Sequence, residues 1–341
     1  MKLSLKELGR LAGVTPTTAS RIINAKPGYT YNPVTIQRVL ELAKTHGYRP
    51  NQLGRSVFGG RSMSAGVIMP SYDFYSRVIL GVHDRLLDSG YAAVTGFNEN
   101  DFDDPAKSIE RKIIHRLLEH RVDGFIMRPT LDNAGNEQFE EILKLKLPLV
   151  VIDRTVSCER ADSVGTDDVA GGRLAARHLL ELGHKRIVQF VGDLQVNPLH
   201  DRAEGFEQEI MERGLGLQTV MLRDPKDSLL KVRQVFSRNA KERPTAAFFW
   251  NDFAAVGAYD ALAELGLRIP RDVSILGYGN LHLGNYLRPR LSTIEQEPYQ
   301  MGCKAAEMFL DRLESRAEGP GRKILLPVKL LQRESTAAIS S

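Results

Sequence analysis

The chain has 341 residues, 42% apolar and 26% charged, with a net charge of +4, an ordinary globular composition with room for two or three domains. Its only cysteines, Cys158 and Cys303, exclude a disulfide framework and fit a reducing compartment. No early stretch joins a basic start to an apolar run and a cleavage site, and no run nears the roughly 18 apolar residues of a membrane span, so a cytoplasmic protein with no membrane partner is expected.

The charge is unevenly spread. Residues 1–61 hold ten Lys or Arg against Glu7 and Glu41, a net of +8 that leaves −4 for the rest. A basic head on a mildly acidic body suits a polyanionic partner, although a solvated basic face gives the same count.

At the start of the chain, Leu5, Leu8, Leu11 and Ala12 recur at helical spacing, and Gly13 stands where a left-handed residue ends a helix. Thr15 then suits an N-cap and Pro16 the first helical position, where no amide donor is needed. In this second helix Ala19, Ile22 and Ile23 form an apolar stripe, while Thr17, Ser20, Arg21 and Asn24 share another face. Short polar side chains let a helix lie deep in a major groove, and Arg21 is long enough to reach a guanine edge. An ordinary capped surface helix has the same pattern. A third helix follows, with Asn32 as cap, Pro33 at its first position, Ile36, Val39, Leu40 and Ala43 predicted to face the other two, and Gly47 at its end. Three short helices in this order predict a helix-turn-helix domain over residues 1–48. Residues 49–61, with Arg49, Arg55 and Arg61, read as a linker whose short helix at 51–58 is marginal, because of Gly54, until a partner orders it.

From residue 62 short apolar runs alternate with helical stretches: "SAGVIMP", "YAAVTGF", "DGFIMRP", "LPLVVID", "KRIVQFVG", "AAFFW" and "DVSILGYG". Strands rich in Val, Ile and Phe without polar alternation predict parallel sheets covered on both faces, and two such series predict two doubly wound α/β lobes. The polar stretch 153–167 reads as a crossover. The first lobe is expected to comprise about 62–160 with 291–322, and the second 161–290 with 323–341. Ligands of parallel sheets bind beyond the carboxyl ends of the strands, where this sequence places Phe74, Tyr75, Asp153, Arg154, Trp250, Asn251 and Asp252. Aromatic faces beside carboxylates suit a polyhydroxylated ligand. Each residue also has a plainer reading: Trp250 as core, Asp252 as a helix cap, Asp153 and Arg154 as a mutual pair.

Signals of catalysis, cofactor or metal are lacking. "GYGNLH" has His282 where a dinucleotide fingerprint needs its third glycine, no "GxxxxGK" or "GxSxG" occurs, and His115 and His120 are five apart, off one helical face. A nucleotide-using enzyme or a solute-binding protein would share the doubly wound sheets, yet neither explains the basic head.

Taken in order, "LKELGRLAGVTPTTASRIIN", "GYRPNQLGRS", "LPLVVIDR", "LLELGHKRIVQFVG", "GLRIPRDVSILGYGN" and "LQRES" resemble motifs of the lac and galactose repressor family of bacterial transcription regulators, over nearly the whole chain. The resemblance implies a homodimer on double-stranded operator DNA, second helices in the major groove, hinge helices paired in the minor groove, and a core that binds a small carbohydrate-like effector. It assigns Thr15, Pro16, Thr17, Thr18, Ser20, Arg21 and Asn24 to the recognition motif, and Arg55 and Val57 to the hinge. Phe74 and Tyr75 match its paired aromatics, Arg202 its effector-contacting arginine, and Asn280 falls in its ligand-gripping loop. Gly54 and Val57 stand where the family commonly has Ala and Leu, and Gly279 where it often has an Asp that grips hydroxyls. "KPGYTYNP" carries two extra residues to which the resemblance gives no role. The chain ends at "STAAISS" without a heptad tail, so a dimer rather than a tetramer is expected.

Overall fold

The computed structural model describes residues 3–24, 28–48, 60–98, 106–130, 139–154, 156–223 and 227–339. The hinge positions Arg55 and Val57 lie outside these. The chain divides into two compact units, Met1–Ser62 and Met63–Ser341.

Among the described residues of the first unit there are three helices, each opened by its own local chemistry. In α1 (Leu5–Ala12), Ser4 and Glu7 form a reciprocal capping box, and Gly13 ends the helix at φ 64°. Thr15 caps α2 (Pro16–Ile23), accepting from the Thr18 amide at 3.1 Å. Asn32 caps α3 (Pro33–Thr45), accepting from the Val34 amide at 2.9 Å. Ala12, Ala19, Ile22 and Val39 form the core, with Leu5, Ile23, Ile36 and Leu42 packed against it. Two expected core residues face outward, Leu11 at 42% and Leu40 at 45% exposure. At about 100° per residue, Leu5, Leu8 and Ala12 already define the inward side of the two-turn α1, and Leu11 falls on the far side of Leu8; Leu40 is likewise a full step round from Val39.

In the second unit the chain alternates strand and helix. The first stretch contains β1 (Ser64–Met69), α4 (Asp73–Asp88), β2 (Ala92–Phe97), α5 (Ala106–Glu119), β3 (Phe125–Met127), α6 (Glu140–Lys144), β4 (Leu149–Ile152) and β5 (Asp162–Thr166). Then come α7 (Asp168–Glu181), β6 (Ile187–Val191), α8 (Asn197–Glu212), β7 (Gln218–Met221), α9 (Asp227–Phe236), β8 (Ala246–Phe249), α10 (Asp252–Glu264), β9 (Ser274–Tyr278) and β10 (Ser292–Glu295). The chain ends with α11 (Pro298–Leu313), β11 (Lys323–Leu326) and β12 (Lys329–Leu331). One sheet has the order β11-β5-β4-β3-β1-β2 and the other β12-β10-β9-β8-β6-β7. Among the described residues every pairing is parallel except β12 with β10.

This corrects the expected lobe boundaries. Residues 162–166 are not crossover but a strand of the first sheet, β11 joins that sheet beside them, and β10 belongs to the second. The chain therefore changes lobes at Asp167, between Glu295 and Pro298, and between Leu326 and Lys329. The reason "DSVGT" reads as polar crossover is Asp162. Its carboxylate is wholly buried and takes hydrogen bonds from Arg312 Nη2 at 2.7 Å and Arg322 Nη2 at 2.8 Å, so residues about 150 positions away supply the charge that lets it sit inside.

Close helix crossings set the geometry of both lobes. In the second, a Cβ on Gly172 of α7 would stand 2.1 Å from the Arg202 carbonyl oxygen, and one on Gly205 of α8 would stand 2.1 Å from that of Val169. Only glycine permits this approach, which brings α8, and with it Arg202, against the start of α7. Gly81 and Gly302 lock α4 to α11 in the first lobe in the same reciprocal way.

Candidate DNA-facing helix and effector cleft

Of the residues assigned to the recognition motif, Thr15, Pro16 and Thr17 are exposed, and Thr18, Ser20, Arg21 and Asn24 half-buried. Their polar atoms are unequally available. Thr15 Oγ1 is engaged by the Thr18 amide and lies 2.9 Å from Thr18 Oγ1. Asn24 Nδ2 donates to the Ser20 carbonyl at 2.7 Å and to Ser20 Oγ at 3.3 Å, finishing α2 rather than pointing away from it. Exposed Thr17 and half-buried Arg21, one turn apart, are left without a side-chain hydrogen bond among the described residues. Beside them lies a residue that sequence reasoning passed over: the Arg21 guanidinium sits 3.8 Å above the ring of Tyr29.

In the two-lobed unit, side chains that follow strands of both sheets face one another. On the first-lobe side Tyr75 is buried and packs edge-on against Phe74, ring centres 5.1 Å apart. The Tyr75 hydroxyl donates to the Asp153 carboxylate. Asp153 directly follows β4 at φ 60°, a left-handed turn that swings its side chain off the strand. Arg154, next to it, is buried, as is Arg128 after β3, whose guanidinium lies 5.6 Å from the Tyr75 ring. Burial, reinforced by the like charge of Arg128, pulls the Arg154 pKa down to about 9. Burial also raises the Asp153 carboxyl above its ordinary value, against the attraction of Arg202 and Arg128.

On the second-lobe side Arg202 is the centre. Its Nε–H donates to Asp168 at 2.7 Å and its Nη1–H to the Trp250 carbonyl at 3.1 Å, and its guanidinium lies 4.1 Å from the Tyr278 ring centre. The Tyr278 hydroxyl donates to the same Asp168 oxygen at 2.8 Å. Burial by itself would lower the Arg202 pKa; Asp168 overcomes that and holds it above the ordinary value. Thr166 links this cluster to the lobe crossings, donating to Asp168 at 3.1 Å and accepting from Gln296 at 2.9 Å. Asp153, Arg154, Asp168, Asn197 and Asp201 border a cavity of about 150 Å³ beside it.

Three further expected residues divide differently. Trp250 is half-buried and stacked over Gly192, where a Cβ would stand 3.1 Å from its ring. Asn251, not Asp252, caps α10, accepting from the Ala254 amide at 2.7 Å. Asp252 is wholly buried and accepts from Thr293 Oγ1 at 2.6 Å and the Leu281 amide at 2.7 Å. It ties the loop after β9 to β10, and burial raises its pKa to about 6. Asn280 takes φ 50°, accepts from Arg333 at 2.6 Å and donates to Glu295 at 2.7 Å. Its carbonyl accepts from Arg77 of the first lobe at 3.5 Å, and Asp73 accepts from the His282 amide at 3.0 Å, so this loop also carries contacts between lobes.

The structure thus brings together Phe74, Tyr75, Asp153 and Arg154, and across from them Arg202 and Trp250. It gives Asn251 and Asp252 backbone-holding partners. Arg128, Asp168 and Tyr278 were missed by sequence reasoning. Arg128 and Tyr278 follow or end apolar strands already in view, and Asp168 opens a helix.

A helix-turn-helix unit attached to two parallel α/β lobes that share a cleft defines a class: DNA-binding regulators built on a periplasmic-binding-protein-like core. Comparison with known proteins agrees. The family model for bacterial regulatory proteins of the lacI family matches residues 4–51, and that for the periplasmic binding protein-like domain matches residues 176–336. The HTH-type transcriptional repressor PurR of Haemophilus influenzae is 30% identical, covering 98% of this chain and 99% of its own. The lac repressor dimer, solved bound to operator and an anti-inducer, superposes with a TM-score of 0.84 at 25% identity over 99% of this chain and 100% of its own. A lacI-family regulator from Enterococcus faecium, solved with bound ribose, gives 0.70 at 28% identity over 81% of this chain and 100% of its own. The chain belongs to the lacI family of bacterial regulatory proteins. Among the described residues no helix is long and apolar enough to cross a membrane.

Proposed function

We propose that this protein is a homodimeric transcriptional repressor whose affinity for operator DNA is set by a small carbohydrate-like effector bound between the lobes. The observation that carries this reading is that the pair Tyr75–Asp153 of one lobe meets the Arg202–Asp168–Tyr278 cluster of the other, near enough for the Arg202 charge to attract the Asp153 carboxylate. A ligand held by both sides has different contacts in open and closed arrangements, and only such a difference in affinity can shift an equilibrium between two states of the protein. Trp250 offers an apolar ring face, Arg202 the Nη2 donors that Asp168 and the Trp250 carbonyl leave, and Asp153 an acceptor, a set that suits a sugar's hydroxyls and carbon face. In the ribose complex of the Enterococcus relative a sugar is the bound molecule, which supports the same class here.

In this reading Thr17 and Arg21 of α2 read bases, Arg55 and Val57 act in the segment that joins the two units, and a dimer presents two heads to symmetric half-sites. The protein works in the cytoplasm, by binding alone, without catalysis, cofactor or metal.

The test is capture of fragmented genomic DNA by the full-length protein at rising salt, with thermal-shift screening against sugars, sugar acids and nucleobases. One enriched sequence, bound with strong salt dependence and released or tightened by a compound that raises the melting temperature, is the expected result. Absence of any preferred duplex, with or without every compound, overturns the proposal.

A further inference from the structure

We infer that Tyr29 is a positioning residue that orients Arg21 and so helps decide which DNA sequence the head prefers. The inference rests on α2 being the helix that reads bases. Three observations carry it. First, the Arg21 guanidinium lies 3.8 Å over the Tyr29 ring, well inside the range of a cation–π contact. Second, Tyr29 is stacked on Tyr31, ring centres 6.5 Å apart and planes within 13°. Tyr31 in turn packs against the core of Ala12, Ala19, Ile22 and Val39 and immediately precedes Asn32, the cap of α3. Contacts therefore run from the core through two rings to one guanidinium. Third, Tyr29 is 45% exposed, so the ring sits at the surface beside Arg21 instead of filling the interior.

The geometry matters because of how arginine recognises a base. Bidentate donation to guanine requires the guanidinium fork to lie in one plane and point one way, whereas the free side chain samples many rotamers. A ring against the face of the fork restricts its plane while leaving the in-plane N–H donors untouched. Those donors stay available: among the described residues Arg21 has no ion-pair or hydrogen-bond partner. Gly28, at φ 86° with open space around it, turns the chain just ahead of Tyr29. The residues "GYTY", within a loop that stood without a role in the sequence, thereby acquire one: they deliver a ring to the reading helix.

The experiment uses the full-length protein and the duplex it selects from a randomised pool, alongside an unselected duplex. Tyr29→Leu is expected to weaken the selected duplex about fivefold and the unselected one far less, with Tyr29→Phe staying close to wild type because the ring face is kept. In an Arg21→Ala background Tyr29→Leu is expected to change nothing, and repeating the selection with Tyr29→Leu should relax preference at the position Arg21 reads. Equal loss with and without Arg21, loss in Tyr29→Phe as large as in Tyr29→Leu, or no loss at all overturns the inference while leaving α2 as the reading helix. If Arg21→Ala itself leaves the selected duplex unaffected, the reading of α2 falls, and the role of Tyr29 with it. Unchanged helical circular dichroism in each variant shows that the head is folded.

Discussion

Arg202 and Asp168 form an ion pair at 2.7 Å with side chains only 8% and 5% exposed, at the centre of the second-lobe wall of the cleft. Asp168 also accepts from Tyr278 and Thr166, so its charge is shared among partners that include a residue at a lobe crossing. The pair thus has two duties, holding α7 to α8 and presenting the guanidinium to the cleft.

Removing one partner costs both duties, and replacing both charges separates them. Arg202→Ala leaves a buried carboxylate and should cost about 3 to 5 kcal/mol of stability, together with the whole effector response. Replacing both charges, Arg202→Met with Asp168→Asn, should restore most of the stability but none of the response. Urea unfolding and effector-dependent DNA release measure the two; a double variant that still responds removes Arg202 from the site.

Asp162 is the clearest folding anchor outside the cleft. Burial pushes its carboxyl up, but hydrogen bonds from Arg312 and Arg322 outweigh that and hold it below the ordinary 3.8. The stabilisation is therefore present above that value and fades as pH falls through the folded-state value. Asp162→Asn should cost about 3 kcal/mol at neutral pH, since it takes from Arg312 its anion and from Arg322 one of two, Asp311 remaining. It should also flatten the acid limb of a stability-against-pH curve; an unchanged limb rejects this assignment.

Asp252 behaves in the opposite sense. Its folded-state pKa of about 6 lies above the ordinary 3.8, so between these values the folded chain holds a proton that the unfolded chain has lost. Stability should fall as pH rises across that window, by about 3 kcal/mol, and then level off. Asp252→Asn, which can still accept from the Leu281 amide, should abolish the fall. Denaturation midpoints at pH 4.5, 5.5 and 7 decide the matter.

For DNA, Arg21→Ala should weaken the selected duplex by about 1 to 3 kcal/mol with much less loss on unselected DNA. Equal losses on both would mean that Arg21 holds phosphate, and the salt dependence of binding would then fall by about one ion.

The three helices of the head were legible residue by residue because their determinants are local: Thr15 with Pro16, Asn32 with Pro33, and glycines at 13 and 47 that accept left-handed backbone. Apolar spacing was a coarser guide, and in two-turn α1 it turned Leu11 the wrong way. The buried strands of both lobes were equally plain, since an unbroken apolar run has few other uses. Strand β5 was not, and neither were β10 and β11, whose sheets are chosen by pairing with strands far away in the chain.

Side-chain roles in the cleft divide along the same line. Asn251 and Asp252 are adjacent and both follow a strand, yet one caps α10 and the other reaches Thr293, 41 residues on; nothing in "WND" distinguishes them. From its own letters the chain determined where helices begin and end, which runs are buried, and that a cationic head precedes a two-lobed body, because these depend on neighbours within a few residues. Which carboxylate meets which guanidinium, which lobe receives an edge strand, and that Tyr29 lies under Arg21 were decided only in three dimensions, because charge neutralisation and ring stacking act through space between residues the chain keeps apart.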